Sequence, residues 1–574
     1  MSAEGYCKGI MQLKEFTSPF SNIPYYLPSD RHFEEALTRW NYFPNQKDSS
    51  ELPPCFTSRR FTPEIAYELA SKPLDATRKK FWFDLTDYRV TRYNNISRSL
   101  GILHPLGYSR LFKKIVEHRE EIVTLIESKQ SAIQIEEHID GRMIIMNYED
   151  HETRTKTALE DTFGKKFRAH TDISNCFGSI YTHSLEWAIQ GYETAKQNLL
   201  TRTAHWSSEL DQAFRNTKRN ETLGLPIGPA ASNIAVETIL CRIDKILERR
   251  FVFTRYIDDY TAYCATHDEA QDFIRALSQE LAQYRLNLNL NKTTIKELPE
   301  PLQDSWTAHL NNALPQRTDG EGILTLSTNE AINFLDFAVR LNKETPDGSV
   351  LRYAIGAIAH RATDETAVAL FNYTLNLSWH FPALLPLLER IDARSEHYDV
   401  EATTKKLNSI ISINATHRRS DGMCWALYYL KQLNGEPTAH SIKEIIDSKD
   451  CAAITMLCKF KNSADAAVKY ALTLTENSTL YELDQNWLLL YQLFLQDLIP
   501  NPYSNEDCFE LLKKYDVHFL YPADMSSHAE KYCNALANPF QNPASPLNFG
   551  QWMKNKSANP TQTPALLLLG TKNR

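Results

Sequence analysis

Two adjacent carboxylates, Asp258 and Asp259, lie between two short apolar segments in the stretch FVFTRYIDDYTAYC. Residues 251–256 and 260–264 are rich in aromatic residues, so the pattern predicts two strands joined by a tight turn. Two like charges held at such a tip repel each other, and a hard divalent cation with oxygen ligands, such as Mg²⁺, relieves that repulsion. Most Asp-Asp pairs are solvated turns, so this pair alone does not establish a metal site.

A third carboxylate, Asp172, ends another predicted strand, FRAHTDI, and the turn residues Ser174 and Asn175 follow it. If the strands of Asp172 and Asp258 are neighbours in one sheet, their carboxylates converge at one edge and can hold two Mg²⁺ ions. Two metals held in this way favour nucleotidyl transfer, because they activate an attacking hydroxyl and stabilise the leaving pyrophosphate. Taken alone, Asp172 is better explained as a turn residue at the end of a strand. The prediction of a two-metal site therefore depends on all three carboxylates together.

These acidic residues lie in a region that alternates predicted strands with predicted helices. Apolar residues recur at helical spacing over 231–250 and 268–285, and residues 286–298 form a further strand candidate. This pattern indicates an α+β layer in which helices pack on a mostly antiparallel sheet.

Beyond about residue 360 predicted strands nearly vanish, and amphipathic helices separated by short breaks follow one another to about residue 477. Helix pairs of this kind favour a HEAT-like solenoid, although no repeated residue signature is present. A polar stretch at about 299–329 is predicted to be a joint, and the Pro- and Asn-rich end of the chain is predicted to be irregular.

Length and charge set outer limits on domain number and partners. A chain of 574 residues predicts about two to four domains. Lys plus Arg is 63 against 71 for Asp plus Glu, which excludes a basic coat for nucleic acid and requires a local basic groove instead. The ten cysteines are scattered and are interpreted as reduced and mostly structural. No basic leader or membrane-length apolar run is seen, so a cytoplasmic protein is expected.

Six motifs resemble those of reverse transcriptases and keep the order of that family over residues 92–340. YIDD resembles the YxDD box, TDISNCFGSIY the first catalytic motif, and GLPIGPAASN the substrate-helix motif. LNLNLNKTTI resembles the lysine motif, NFLDFAV the sheet element before the thumb, and SRSLGILHPLGYSRLFKKI the fingers motif. The stretch GSIYTHSLEWAIQG is most similar to the bacterial antiphage reverse transcriptases of the abortive-infection (AbiK-like), defence-associated group.

The resemblance implies a right-hand polymerase. Its fingers and N-terminal segment would occupy 1–160, and a palm with the catalytic carboxylates would occupy 161–345. An all-α HEAT-like repeat domain in place of a thumb would follow over 346–535, and an irregular tail over 536–574. The implied activity is that of an RNA-directed DNA polymerase, a nucleotidyltransferase that uses dNTPs and two Mg²⁺ ions, for which Mn²⁺ can substitute.

The resemblance also implies roles for single residues. Asp172, Asp258 and Asp259 would be catalytic and would bind the metals together with the backbone carbonyl of Ile173. Lys292 would protonate the departing pyrophosphate, a task that suits a positive donor. A solvated strand edge is the plainer interpretation of Lys292.

Substrate contacts follow from the same resemblance. Arg98, assisted by Arg92, would grip the triphosphate with its guanidinium fork. Phe177 would leave no room for a ribose 2′-hydroxyl, and Ile227 and Gly228 would belong to the substrate-helix motif. A surface ion pair for Arg98 and a core position for Phe177 are the ordinary alternatives.

Two features bear on priming and template use. Templated members of the family usually have LPQG where this chain has LPIG, and Ile227 cannot make the hydrogen bonds of a glutamine. This change fits the untemplated or repetitive, protein-primed DNA synthesis associated with the AbiK-like relatives. Tyr42, which precedes a polar loop, is the leading priming candidate, and packing beside its aromatic neighbours is its more ordinary interpretation. Its rivals are Tyr6, Tyr25 and Tyr26.

Other functions stay open at this point. A reverse transcriptase that copies a bound noncoding RNA is one alternative, and a catalytically inert helical-repeat scaffold is another. An unused carboxylate cluster would be destabilising, which disfavours the scaffold. Expected partners are dNTPs, a DNA product that is free or covalently attached, and further copies of this chain, but no membrane. His104 and His183 are interpreted as structural, because no Cys or His lies at ligand spacing from them.

Overall fold

In the computed structural model, the described residues are 30–44, 51–92, 95–134, 145–146, 158–301, 304–318, 324–346, 349–391, 399–503 and 506–520. The first part of the chain combines short helices with two small antiparallel sheets. The helices are Asp30–Glu35, a π-helical turn Ala36–Trp40, Pro63–Ser71, Ala76–Phe81, Pro105–Glu117 and Arg119–Leu125. The sheets pair β1 (Leu85–Thr91) with β2 (Ser97–Leu103) and β3 (Ile133–Gln134) with β4 (Ile145–Met146).

The central sheet has four antiparallel strands. Their order is β6 (Phe253–Tyr256), β7 (Asp259–Cys264), β5 (Phe167–Asp172) and β8 (Thr294–Glu297). Residues of β6 and β7 alternate between buried and half-buried positions, as expected for a sheet with one face on the core. The predicted strands are present, but β8 is shorter than predicted because Lys292 N–H bonds to Asn289 O in a turn before it.

Helices surround this sheet, as the sequence pattern predicts. Ala230–Leu247 and His267–Gln283 occupy the two segments with helical spacing, and the second packs on β5 and β7. Thr266 caps the second helix by accepting the Glu269 N–H. Shorter helices between β5 and β6 are Cys176–Ser179, Ser184–Gln190, Tyr192–Thr201 and Trp206–Asn216.

The segment NFLDFAV is helical, so its prediction as a sheet element is wrong. It lies within the helix Thr328–Glu344, which begins with a capping box between Ser327 and Glu330. That reciprocal cap satisfies free N–H groups of the first turn and favours helix over strand. The predicted joint at about 299–329 also contains a helix, Ser305–Ala313.

The regular elements among the described residues from 349 to 520 are all helical, in agreement with the predicted loss of strands. The elements are Val350–Ile358, the 3₁₀ turn Ala359–Arg361, Asp364–His380, the 3₁₀ segment Pro382–Arg390, Val400–Thr416, Ser420–Gln432, Ala439–Ser448, Cys451–Leu457, Ala464–Asn477, Leu480–Gln485, Trp487–Leu495 and Cys508–Lys514. The HEAT-like character of this part stays a prediction, and the predicted tail over 536–574 lies outside the described residues.

The helical part packs directly on the first part of the chain. Trp487 Nε1–H donates to Ile102 O at 3.1 Å, and Trp425 Nε1–H donates to Glu51 O at 3.1 Å. The eight cysteines within the described residues are free thiols. Among these residues, no helix combines the length and the apolar character that crossing a bilayer requires.

Candidate active site

The sheet brings the three predicted carboxylates to one edge. Asp172, the last residue of β5, is directly opposite Asp259, the first residue of β7. Asp258 lies in the turn between β6 and β7, and its carbonyl accepts the Ile173 N–H at 3.1 Å. The catalytic hairpin and the end of β5 are therefore joined through the backbone as well as through the strand ladder.

Burial and mutual repulsion act on these carboxylates. Burial, followed by the charges of Asp259 and Asp172, raises the pKa of Asp258 to about 6. Burial and the charge of Asp172 also raise the pKa of Asp259. An oxygen-rich edge at which the negative forms are disfavoured fits a hard divalent cation, which would stabilise all three charges.

Lys292 already supplies one positive charge to this edge. Its ammonium donates a hydrogen bond to Asp172 Oδ2, and this bond raises the pKa of Lys292. More than half of the Lys292 side chain is exposed. Lys292 is therefore charged, close to the carboxylates, and free of the packing that would fix it there.

Two other groups of potential ligands are tighter than the three aspartates in the part of the chain that the structure describes. In each, three ligand atoms lie within 4.8 Å of one another. The first contains His104, whose Nδ1 accepts the Leu106 N–H at 3.3 Å, so its ring proton belongs on Nε2, facing Glu506 Oε1 at 3.7 Å. Cys508 completes this group, a neighbour that sequence spacing could not reveal.

The second group contains His183, Glu186 and Asp211. His183 Nδ1 lies 2.9 Å from Asp211 Oδ2, which also accepts the Arg215 Nε–H at 3.1 Å. Asp211 thus binds both His183 and Arg215, whereas His104 Nε2 and Glu506 Oε1 are buried without a hydrogen-bond partner among the described residues. The structural roles predicted for His104 and His183 stay predictions.

Arg98 lies on β2 and is half-buried, and its charge interacts with the carboxylate of Asp258. Burial and the neighbouring Arg92 lower the pKa of Arg98, while the carboxylates of Glu51 and Asp258 oppose that change. Burial raises the pKa of Glu51, opposed by Arg98, Arg352 and Arg92. Three arginines thus gather around one carboxylate beside the aspartates. Glu51 and Arg352 were not among the predicted site residues, because they have no local signal and come from distant parts of the chain.

The predicted sugar-contacting and substrate-helix residues are neighbours. Phe177 is 8% exposed, and its carbonyl accepts the Leu225 N–H at 2.8 Å. Ile227 O accepts the Gly101 N–H at 2.9 Å, which ties the motif to the strand of Arg98. Gly228 has φ of +128°, and a Cβ there would lie 2.8 Å from Pro44, so only glycine suits this position.

Tyr42 lies in the core, away from solvent. Its hydroxyl donates to Leu103 O, and its ring packs against Phe43, Phe61 and Tyr108. Burial raises the pKa of Tyr42 well above its usual value. A mobile priming phenol needs the opposite environment, so the ordinary interpretation of Tyr42 suits the structure better. Tyr6, Tyr25 and Tyr26 lie outside the described residues.

Comparisons with solved structures include two similarities of low sequence identity. No curated protein matches the chain. Among solved structures, the chain is similar to apo telomerase from Candida tropicalis, with 10% identity, 70% of each chain covered and a TM-score of 0.29. It is also similar to telomerase from Candida albicans in complex with a TWJ fragment of telomeric RNA, with 10% identity, 70% of this chain and 68% of that chain covered, and a TM-score of 0.26.

The family match is more direct. Residues 104–337, which include all three aspartates, Phe177 and Lys292, match the family "Reverse transcriptase (RNA-dependent DNA polymerase)". The chain therefore contains a reverse transcriptase domain and is an RNA-directed DNA polymerase, a nucleotidyltransferase.

Proposed function

We propose that this chain synthesises DNA from dNTPs at the edge of the central sheet, where Asp172, Asp258 and Asp259 hold two divalent cations. The observation that carries the proposal is the direct pairing of Asp172 with Asp259 across β5 and β7, with Asp258 in the adjoining turn. When bound, two Mg²⁺ ions supply activation of the attacking hydroxyl and stabilisation of pyrophosphate, and Mn²⁺ can take their place.

The side chains around the carboxylates have separate tasks in this proposal. Arg98 and its arginine neighbours attract and orient the triphosphate. Lys292 is free to leave Asp172, and its ammonium donates a proton to the departing pyrophosphate. Phe177 selects deoxyribose by its bulk, and the carbonyl of Ile173 adds an oxygen ligand beside Asp172.

The finer proposal is protein-primed DNA synthesis, untemplated or repetitive, in antiphage defence. The support is the resemblance to the AbiK-like group and the replacement of the usual glutamine by Ile227. Because Tyr42 is buried, the proposal assigns the priming hydroxyl to another residue of the chain. A HEAT-like helical domain, assembly into homo-oligomers and a cytoplasmic location belong to this same proposal.

RNA-templated synthesis is the second candidate. The family match to RNA-dependent DNA polymerases favours it, because copying RNA is the reaction that defines the family. In that case a bound noncoding RNA would be both the partner and the template, and Ile227 would leave base selection to pairing with the template.

One incorporation assay separates these possibilities. The purified chain is incubated with labelled dNTPs and Mg²⁺, with and without RNase, and the products are analysed with and without proteinase K. Label that migrates with protein until digestion supports self-priming, and RNase-sensitive synthesis supports an RNA template. Absence of incorporation under all conditions would contradict the polymerase proposal and favour the scaffold.

Two variants complete this assay. Asp258→Asn is expected to reduce incorporation to background, because it removes a metal-binding charge. Asp272→Asn is the matched control, since Asp272 lies on the helix His267–Gln283 in an exposed pair with Arg275. Equal loss in both variants would mean that the effect is not specific to the catalytic edge.

A further inference from the structure

A buried arginine lies three residues before Asp258. Arg255, on β6, has no exposed surface. Its Nε–H and Nη2–H donate to Asp244 Oδ2 at 2.9 and 2.7 Å. Its Nη1–H and second Nη2–H donate to the two oxygens of Glu237 at 2.8 and 3.0 Å. The guanidinium is thus held between two carboxylates of one helix, Ala230–Leu247.

The network around Arg255 is fully enclosed and its geometry is fixed by further donors. Tyr260 Oη–H and Ser128 Oγ–H donate to Asp244, at 3.1 Å in each case. Ser131 Oγ–H donates to Glu237 Oε2 at 3.0 Å. These neutral donors stabilise the second negative charge, which one guanidinium alone does not balance. A planar guanidinium with this many partners has a single favourable orientation.

One bond from this network reaches the catalytic turn. Arg255 Nη1 also donates to Ile257 O at 2.9 Å. Ile257 has φ of +61°, in the left-handed region that β-branched residues rarely adopt, so the turn needs outside support. The Ile257 carbonyl belongs to the same peptide group as the Asp258 N–H. The next carbonyl, Asp258 O, is bound by Ile173 N–H, so both peptide groups that flank the Asp258 side chain are held.

We infer that Arg255 is a positioning residue for the polymerase reaction, which holds the Ile257–Asp258 peptide so that the Asp258 carboxylate meets the metal in one orientation. The inference rests on the proposed metal-binding role of Asp258. It also connects that role to the helix Ala230–Leu247, whose first turn is the end of the substrate-helix motif and which carries both carboxylates that bind Arg255. The substrate side and the metal side of the site therefore share one rigid support.

A different role for Arg255 would be stability alone, as for many buried ion pairs. Arg78 provides the matched control, because it is equally buried and binds two carboxylates, Asp484 and Glu506, far from the turn in sequence. Replacement by lysine keeps the charge in both places but loses the planar fork. Only at Arg255 should that loss disturb the metal site.

The experiment compares Arg255→Lys with Arg78→Lys in the full-length chain. Free Mn²⁺ is measured by electron paramagnetic resonance during titration without dNTPs, and kcat, the KM for dNTPs and the half-saturating Mg²⁺ concentration are measured in the incorporation assay. Arg255→Lys is expected to weaken Mn²⁺ binding and to lower kcat by roughly 10- to 100-fold, with an unchanged KM for dNTPs. Arg78→Lys is expected to lower thermal stability while its folded fraction keeps wild-type metal affinity.

A third variant tests the bond to the turn. In Glu237→Gln the Oε1 acceptor for Nη1 is retained, so Arg255 keeps its contact with Ile257, and metal affinity should stay within about threefold of wild type. Loss of metal affinity in Glu237→Gln, in which the bond to Ile257 is kept, would count against the inference even if Arg255→Lys does not fold. Wild-type Mn²⁺ affinity in Arg255→Lys, or an equal loss in Arg78→Lys or Glu237→Gln, would overturn the inference. Activity that survives in Asp258→Asn would instead overturn the proposed function.

Discussion

Arg78 and Arg255 are both buried between two carboxylates, yet they connect different parts of the molecule. Arg78 binds both oxygens of Asp484, at 2.6 and 2.8 Å, and Glu506 at 2.7 Å, across more than 400 residues of sequence. The partners of the Arg255 side chain lie within 18 residues, and one of its bonds goes to the Ile257 carbonyl in the turn between β6 and β7. The same ion-pair chemistry therefore joins two parts of the fold in one place and shapes a turn in the other.

The surroundings of Arg78 also indicate that it joins two parts of the fold. The Arg78 guanidinium lies over the rings of Phe83 and Tyr503, with its Cζ 4.4 and 5.0 Å from the two ring centres. Asp484 and Glu506 raise the pKa of Arg78 although burial acts against them, and burial raises the pKa of Asp484. This network is a buried contact between the first part of the chain and its helical part. In the described residues, the side-chain bonds of Arg78 go to Asp484 and Glu506, which suits a role in joining the two parts.

Arg78→Met is expected to lower the stability of the protein more than any other substitution in this comparison. Removal of the cation leaves Asp484 and Glu506 buried without their partner, and the free energy of unfolding is expected to fall by about 3–5 kcal/mol. Urea unfolding measures this loss. Lys405→Met is the matched control, because Lys405 pairs with Glu401 on an exposed helix surface, where water screens the pair, and its loss should leave the free energy of unfolding nearly unchanged.

The incorporation rate of the folded Arg78→Met protein tests whether Arg78 also affects the metal dependence of the reaction. If Arg78 serves attachment only, the metal dependence of the surviving folded protein matches wild type. A changed Mg²⁺ requirement would show that the helical part reaches the catalytic turn, and the distinction between the two arginines would fail.

Phe177→Ala tests whether a buried residue at the catalytic edge has a task beyond packing. Phe177 is nearly as buried as the residues around Arg78, but the proposed function places its ring against the sugar of the substrate. Its removal is expected to improve the use of ribonucleotides relative to deoxynucleotides by roughly 10- to 100-fold, the range for steric selection in a pocket. Competition between labelled rNTPs and dNTPs measures the ratio. Phe334→Ala, in the buried face of Thr328–Glu344, should lose stability without changing the ratio.

Much of the catalytic edge could be predicted because its signals are local. The aromatic-rich pattern around Asp258 and the strand ending at Asp172 predicted the two strands and the turn, whereas their position as neighbours in one sheet was a condition that the resemblance to reverse transcriptases supported. Arg255 was missed, although period-two alternation in β6 puts it on the buried side with Phe253, and Glu237 and Asp244 lie seven residues apart on one helix face. A charged residue at an inward strand position was the available signal.

Other parts of the fold could not be predicted with the same certainty. NFLDFAV has apolar residues that suit either a short buried strand or a helix, and only the Ser327–Glu330 cap distinguishes them. Glu51 and Arg352 meet near Arg98 through tertiary packing, for which a single sequence contains no signal. The Arg78–Asp484 contact likewise depends on how the helical part docks on the first part.

Asp258→Asn is expected to stabilise the fold at neutral pH even as it removes activity. The pKa of Asp258 is raised to about 6, above that of an exposed aspartate, so its contribution to stability is present at low pH and is lost as pH rises from about 4 through 6. At pH 7 without divalent cations, the amide should therefore raise the free energy of unfolding by about 1–2 kcal/mol, and this gain should disappear near pH 4. Thermal unfolding at both pH values measures it. A loss of stability at pH 7 would mean that the aspartates do not repel one another as their placement implies.

Tyr42→Phe has the smallest expected effect on activity and stability, because the Tyr42 side chain is buried in the core. The buried phenol donates to Leu103 O and, being neutral, is a poor nucleophile, so any adduct between protein and DNA should form normally in the variant. The free energy of unfolding should fall by about 1 kcal/mol, because the Leu103 carbonyl loses its donor. Tyr108→Phe is the control, since its hydroxyl donates to Leu37 O in the same cluster and it should lose a similar amount. If Tyr42→Phe alone abolished the adduct, the segment that carries Tyr42 would have to open during priming, and its tight packing would be a resting arrangement of a moving part.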